Sequence, residues 1–356
     1  MKNIIISTGG SGGHVRLAEV IYEYLKIKNN VLITIDDRGL NYFKKIKISP
    51  KLINFKKVPL KYIITIIPFL MNLFFSILKS FLYLKKKNIN VVFSTGGYMS
   101  LPVCIAAKLL KIKIYLIEPN LVLGRSNSFL LKFSSKIFTY QNQIRNFPKK
   151  YINKINVIKP LIGQEIRKFC FVKQKSDDKF NLLIIGGSQG ALKFDEIFKE
   201  GLLKLSKEFK LKVFHQASKK NQNIIIDFYK NNNIEHEVFS YVNNLHEITL
   251  KCDFVITRSG ASTINELVFL NIPFLAIPFP YSKDDHQFFN ADYFFKKNLC
   301  WLRRENEIDT PFLYDFLKNL ITNKNLILEK KKNMSDFYKH INLNENLEIL
   351  NKFDKS

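Results

Sequence analysis

Two hydrophobic periodicities alternate along this chain. Short apolar runs such as Ile4-Ile5-Ile6, Val91-Val92-Phe93, Leu182-Leu183-Ile184-Ile185 and Phe254-Val255-Ile256 read as strands buried on both faces. Between them, apolar residues recur three and four positions apart, as at Leu17, Val20, Ile21 and Leu25, and read as helices laid on a sheet. This alternation predicts an α/β protein with parallel sheets.

The polar positions cluster where strand gives way to helix. Ser7-Thr8-Gly9-Gly10-Ser11-Gly12-Gly13-His14 follows the first strand and holds four glycines in five positions. Such a loop lets backbone approach a ligand and turns its amides towards an anion, and His14 closes it with a titratable group. Ser94-Thr95-Gly96-Gly97-Tyr98-Met99-Ser100 repeats the theme, and Ile117-Glu118-Pro119-Asn120 ends a further strand with polar groups. In the second half, Gly186-Gly187-Ser188-Gln189-Gly190-Ala191 follows one apolar run, and Arg258-Ser259-Gly260-Ala261-Ser262-Thr263-Ile264-Asn265-Glu266 follows another. Gly260 permits a tight turn, while the hydroxyls of Ser259, Ser262 and Thr263 suit a helix start that attracts phosphate. Glu266 then lies about one turn into the helix, where a carboxylate can accept hydrogen bonds from a ribose diol.

Taken alone, that last segment fits an ordinary capped helix. Four such loops at the carboxyl ends of apolar strands predict more: two doubly wound, Rossmann-like domains facing a cleft. No Gly-Lys-Ser/Thr follows any of the loops, so none is a Walker loop. The duplicated glycines also differ from the dinucleotide fingerprint, although Asp36 and Asp37 lie near the spacing of its acidic residue.

In this order, from Thr8 to the Asp284-Asp285-His286-Gln287 stretch, the segments resemble the MurG family of bacterial N-acetylglucosaminyltransferases. The resemblance covers most of the chain and implies the GT-B architecture. It implies inverting transfer of N-acetylglucosamine from UDP-N-acetylglucosamine to the lipid-linked muramyl pentapeptide called lipid I. It places Val242 against uracil, Glu266 on the ribose, and Ser188 with Ala261, Ser262 and Thr263 on the diphosphate. Gln189, Ile264 and Asn265 belong to the same donor motifs, while Asn120, Asn127 and Gln287 would touch the sugar. Ser11, Gly12 and Gly13 would present amides to the acceptor diphosphate beside Tyr98. His14 is the candidate base, with Glu118 as an alternative base or as its orienting partner. The chain has no Asp-x-Asp motif of the sort metal-dependent sugar transferases use, and adjacent pairs such as Asp36-Asp37 would point to opposite faces of a strand, so no metal and no cofactor is expected. The family works on the cytoplasmic face of the inner membrane, so the implied partners include an anionic membrane surface and other cell-wall synthesis proteins.

Two departures from the family pattern bear on the donor phosphates. Ile117 and Pro119 stand where the family has His and Gln, and Ile162 stands where it has an Arg near the nucleotide phosphates. Lys159 or Arg167 would have to supply that charge, and Lys is the poorer bidentate ligand. These changes keep alive a sister glycosyltransferase acting on another lipid or a secondary metabolite. A non-enzymatic basic membrane-binding protein is the rival from a different class.

Composition changes the picture in three places. The chain has 356 residues, enough for two domains with cores of their own, expected at 1–157 and 158–334, and the resemblance implies a last helix at 335–356 that returns to the first. Its four cysteines lie far apart, without CxxC or metal-ligand spacing, and read as buried free thiols of a reducing cytosol. The formal charge of +26 is mostly Lys spread along the chain, and no zinc-finger, RNP or Arg-rich signature accompanies it, so no nucleic-acid partner is expected.

A general compositional bias, with Asn and Ile also abundant, accounts for part of that charge, and an anionic membrane surface is the other candidate, each nearby basic residue adding about 1 kcal/mol. From Tyr62 to Leu78 there is no charged residue; Lys56, Lys57 and Lys61 precede the run, and Lys79, Lys85, Lys86 and Lys87 follow. Crossing a bilayer takes roughly 20 apolar residues, and Pro68 and Asn72 interrupt this run between two strands of one sheet. The expectation is a helix lying in the membrane interface, with a buried core helix as the alternative.

Overall fold

The computed structural model describes residues 1–43, 49–55, 66–169, 178–186, 192–240, 242, 244–339 and 345–351. The chain divides into two compact units, Met1–Gln164 with Asn342–Ser356, and Glu165–Ile341.

Unit 1 opens with β1 (Asn3–Ser7), α1 (Gly12–Leu25), β2 (Asn30–Ile35), α2 (Asp37–Leu40) and β3 (Lys51–Leu52). It continues with α3 (Ile66–Lys86), β4 (Val91–Ser94), α4 (Leu101–Leu109), β5 (Lys113–Glu118), α5 (Arg125–Leu130), β6 (Lys136–Thr139) and β7 (Ile155–Val157). Its strands form one parallel sheet in the order β3-β2-β1-β4-β5-β6-β7. Apolar residues point from both faces, as the unbroken runs required: Ile4 and Ile6 pack on α1 with Tyr24, while Ile5 packs on the other side with Val103 and Cys104 of α4.

After α6 (Gln164–Arg167), unit 2 runs through β8 (Phe180–Ile185), α7 (Leu192–Glu196), α8 (Lys199–Ser206), β9 (Leu211–Gln216), α9 (Gln222–Asn231) and β10 (Glu235–Phe239). Next come α10 (Leu245–Thr249), β11 (Phe254–Thr257), α11 (Ala261–Phe269), β12 (Phe274–Ala276), α12 (His286–Lys296) and β13 (Trp301–Leu302). Two helices, α13 (Thr310–Thr322) and α14 (Lys324–Lys339), complete the unit. Its sheet is also parallel, in the order β10-β9-β8-β11-β12-β13.

The last helix, α15 (Glu345–Asn351), belongs to unit 1. Leu350 is buried in the cluster that holds Tyr24 and Leu25 of α1. The Asn346 amide clasps the backbone of Lys159, accepting from its N–H and donating to its carbonyl, both at 3.0 Å.

The helix α3 differs from every other helix of unit 1. Its apolar residues Ile67, Leu70, Met71, Phe74, Phe75 and Leu82 are all more than half exposed, and its buried residues are Ser76, Ser80 and Leu84. Residues 56–65, which include the start of the predicted apolar helix, lie outside the described residues. What is described places α3 on the unit's surface and not in a core.

Candidate active site

In unit 1 the strand order reverses between β1 and β4, the position where α/β sheets take ligands. The two turns there are sewn together: Thr95 N–H donates to Ser7 O (3.1 Å), and the Thr95 hydroxyl donates to that of Thr8 (2.9 Å). Gly10 has φ 82°, a left-handed turn, and its N–H donates to Asp36 Oδ1 at 2.7 Å. The same oxygen accepts from Gly39 N at 2.9 Å, so this buried carboxylate pins the glycine turn. It is not spare for the 2′-hydroxyl of a dinucleotide, which disposes of the role suggested by its spacing. Ser11 is the N-cap of α1 and makes no side-chain capping bond. The first-turn amides of Gly12 and Gly13 therefore have no intrahelical acceptor and carry the positive end of the helix dipole.

His14 stands over this turn with Nδ1 2.8 Å from Thr95 O. A carbonyl oxygen only accepts, so the neutral ring carries its proton on Nδ1 and its lone pair on Nε2. Gly96, at φ 87°, lies between His14 and Asn127; a Cβ there would meet His14 Cε1 at 3.4 Å and Asn127 Nδ2 at 3.3 Å. The Asn127 amide donates to Ile117 O (3.1 Å) and Glu118 Oε2 (3.0 Å). Its Oδ1 is buried with no hydrogen-bond partner among the described residues, an acceptor waiting for a donor beside the imidazole.

Glu118 is buried and ringed by donors. Oε1 accepts from Asn120 N (3.2 Å) and Nδ2 (2.8 Å), and Oε2 from Gly124 N (2.8 Å) as well as Asn127. That arrangement fixes the loop carrying Asn120 and Asn127. Ile117, in place of the family's His, is wholly buried in the sheet's core. Ile162 is likewise buried, and its carbonyl accepts from Tyr24 Oη at 3.4 Å.

In unit 2 the order reverses between β8 and β11. Ser188 and Gln189 follow β8 and lie outside the described residues. The N-cap of α11 is Gly260, which has no side chain to cap with, and the Ser259 hydroxyl is buried without a partner among the described residues. Ala261, Ser262 and Thr263 form the first turn, while Ser262, Thr263 and Glu266 remain half-buried at the surface of the helix. Ile264 is fully buried, and the buried Asn265 donates back to Ala261 O at 2.7 Å, so these two side chains face the interior.

Gln287 Oε1 accepts from Ser259 N (3.1 Å) and Phe279 N (3.0 Å), which leaves its NH₂ to donate. Val242 is half-buried beyond β10. Beneath the turn, the buried Arg258 pairs with Glu305, donates to the carbonyls of Ile277 (3.3 Å) and Pro278 (3.2 Å), and stacks on Phe194 at 4.0 Å. Burial lowers its pKa from the usual value, and the carboxylates of Glu305 and Asp195 act against that.

The remaining titratable groups are less suggestive. His215 is buried against Tyr229 Oη at 2.9 Å, His236 bonds the Ile234 carbonyl, and His286 bonds that of Lys283 at the head of α12. Cys104, Cys252 and Cys300 are free and buried; burial pushes the Cys104 and Cys300 thiols up to about 12. Cys170 and His340 lie outside the described residues. Among the described residues, no group of three His, Cys, Asp or Glu side chains could hold a metal ion.

Two residues escaped the sequence reading as parts of this site. Asp36 follows β2 as the N-cap of α2 and Arg38 lies within α2, where the only signal was an acidic residue after an apolar strand. Their connection to Gly10 and Tyr98 is visible only once the sheet is assembled.

Two parallel α/β units, each with polar turns at its switch point, define a glycosyltransferase of the GT-B architecture. Residues 4–139 match the glycosyltransferase family 28 N-terminal domain and residues 181–343 its C-terminal domain. The UDP-N-acetylglucosamine--N-acetylmuramyl-(pentapeptide) pyrophosphoryl-undecaprenol N-acetylglucosamine transferase of Pelagibacter ubique is 44% identical over 353 residues, covering 98% of each chain. Its namesake from Rickettsia felis is 32% identical, covering 94% of this chain and 95% of its own. Among solved structures, Acinetobacter baumannii MurG superposes with a TM-score of 0.74 at 20% identity, covering 98% of both chains. A Staphylococcus aureus MnaA–UDP co-structure does so at 0.61 with 13% identity and the same coverage. The chain belongs to glycosyltransferase family 28 and, within it, to the MurG family.

Proposed function

We propose that this enzyme transfers N-acetylglucosamine from UDP-N-acetylglucosamine to a hydroxyl of the muramyl sugar in lipid I, with inversion at the anomeric carbon. The observation that carries the reading is the bond from His14 Nδ1 to Thr95 O, which leaves Nε2 as the acceptor of a proton. As the acceptor oxygen attacks the anomeric carbon, Nε2 takes its proton and UDP departs with the electrons of the breaking bond. A single displacement inverts the centre. Asn127 Oδ1, buried and unpaired, suits a sugar hydroxyl beside that imidazole. Glu118, spent on four donors, acts as a positioning residue for Asn120 and Asn127 and not as a second base.

On the donor side, the amides at the head of α11 meet the diphosphate, and Glu266 accepts from the ribose. The NH₂ of Gln287 donates to the sugar, and backbone at Val242 meets uracil. Ser188 and Gln189 complete the diphosphate contacts. Stabilisation of the leaving diphosphate then rests on fixed dipoles and amides.

The exposed apolar face of α3, with Lys79, Lys85 and Lys86 in its carboxyl half and Lys87 just beyond, supports a peripheral position on the cytoplasmic face of the inner membrane. Other cell-wall enzymes would meet it there. Assays of His14→Ala with radiolabelled UDP-N-acetylglucosamine and a soluble lipid I analogue test the reading. Turnover should fall about 10²- to 10⁴-fold with donor affinity unchanged. Undiminished turnover would remove His14 as the base.

A further inference from the structure

Two of the three guanidinium nitrogens of Arg38 hold it against the glycine turn of unit 1. Nε donates to Asp36 Oδ2 at 3.1 Å, and Nη2 donates to Tyr98 Oη at 2.8 Å, with the guanidinium carbon 5.3 Å from the centre of the Tyr98 ring. A Cβ on Gly10 would come within 3.6 Å of Nη2, so the cation lies directly over the turn whose amide Asp36 holds. The side chain is nonetheless 57% exposed, and Nη1 has no hydrogen-bond partner among the described residues. An exposed guanidinium fixed at two points and open at the third is prepared for an anion, because little rotamer freedom remains to be lost on binding.

Its surroundings say which anion. On one side, the turn leads through Gly12 and Gly13 to His14. On the other, Tyr98 packs edge-on against Phe55 (5.7 Å between ring centres), and Phe55 packs on Phe69 in the first turn of the apolar helix α3 (5.5 Å). The backbone follows the same route. Asp37 N–H donates to Asn54 Oδ1 (3.0 Å), Asn54 Nδ2 donates to the Asp37 carboxylate (2.6 Å), and Ser76 of α3 donates to Asn54 O (3.1 Å). Arg38 thus stands between the imidazole and the apolar helix.

We propose that Arg38 is a specificity-determining residue that binds the lipid-proximal phosphate of a diphosphate-linked acceptor. The inference rests on the reading of unit 1 as the acceptor site and orders that acceptor along it. The sugar hydroxyl lies at His14, the first phosphate at the amides of Gly12 and Gly13, and the second at Nη1 of Arg38. The prenyl chain then leaves over Tyr98, Phe55 and Phe69 onto α3. The Asp36 carboxylate beneath the guanidinium holds it in place and is itself occupied by Gly10 and Gly39.

The test is initial-rate kinetics of the full chain with UDP-N-acetylglucosamine and two short-prenyl muramyl-peptide acceptors, one diphosphate-linked and one monophosphate-linked. Wild-type protein should favour the diphosphate. Arg38→Gln should erase that preference by raising KM for the diphosphate acceptor about 10- to 100-fold, with donor KM and the monophosphate acceptor unaffected. Arg38→Lys, which keeps the charge and loses the planar fork, should fall between the two and serves as the readout if the Gln variant melts early. Unchanged acceptor KM in both variants, or an equal loss on both acceptors, overturns the assignment. Wild-type protein that transfers to neither acceptor overturns the acceptor-site reading itself, and this inference falls with it.

Discussion

Each unit sets an arginine–carboxylate pair beside its ligand turn, and the two pairs are built for opposite purposes. In unit 2 both partners are withdrawn from water: the side chains of Arg258 and Glu305 are 6% and 10% exposed, and the guanidinium is further tied to two carbonyls and two aromatic rings. In unit 1 only the carboxylate is withdrawn; Asp36 is 5% exposed and Arg38 57%. A buried pair costs a great deal to break, because the surviving charge has nowhere to be solvated. A half-exposed pair contributes little, since water screens it. Arg258 is therefore a bolt that fixes the loops bearing Gln287 and the head of α11, whereas Arg38 remains available to a ligand.

The sharpest way to break this contrast is Arg258→Leu, which strands Glu305. Denaturant unfolding should show a loss of about 3–5 kcal/mol, and the loss should be local to unit 2. The buried thiols report where the opening occurs, because burial keeps Cys104 in unit 1 and Cys300 in unit 2 protonated at neutral pH and poorly reactive. Alkylation of Cys252 and Cys300 should accelerate in the variant while that of Cys104 keeps its wild-type rate. Equal acceleration of all three would mean that the pair stabilises more than its own unit. Replacing both Arg258 and Glu305 by leucine should recover much of the loss, since no unpaired charge is left behind.

A smaller effect is expected at the buried carboxylate of Glu118. Glu118→Ala removes the acceptor shared by Asn120, Gly124 and Asn127, and should cost about 1–3 kcal/mol by the same denaturant measurement. Smaller still, Arg38→Gln should move stability by less than about 1 kcal/mol; a loss as large as that of Arg258→Leu would erase the distinction between bolt and ligand. At the bottom of the scale, serine at Ile67, Leu70, Phe74 and Phe75 should leave the melting temperature in place, because all four side chains are already more than half exposed. The same variant should sediment less with anionic vesicles. A collapsed melting temperature would show that this face is covered by protein.

What was legible in the sequence follows the range of the interactions involved. Strands such as Ile4-Ile5-Ile6 and Phe254-Val255-Ile256 declared themselves because a strand buried on both faces must be apolar at every position. The turns at Gly9–His14 and Gly96–Gly97 were equally plain, because positive φ and close approach demand glycine. The partners of those turns were hidden. Nothing local ties Asp36 to Gly10, or Glu305 to Arg258; these contacts arise only when distant strands are placed side by side. The direction of Ile264 and Asn265 was hidden for a related reason. A donor motif written in one dimension does not say which helical positions face inward, and here these two do. The helix α3 was legible as apolar, and its Lys flanks favoured an exposed face, but the apolar residues alone would equally have suited a core.

The last helix has a consequence for biosynthesis. Because α15 packs into the cluster that includes Tyr24 and Leu350, and because Asn346 clasps the backbone at Lys159, unit 1 is assembled from both ends of the chain. A ribosome delivers α15 only after every residue of unit 2. Unit 2 has all its residues in hand first, while unit 1 waits, with α3 already synthesised, for the segment that carries Leu350. During that interval the nascent chain presents the apolar face of α3 without a finished domain behind it.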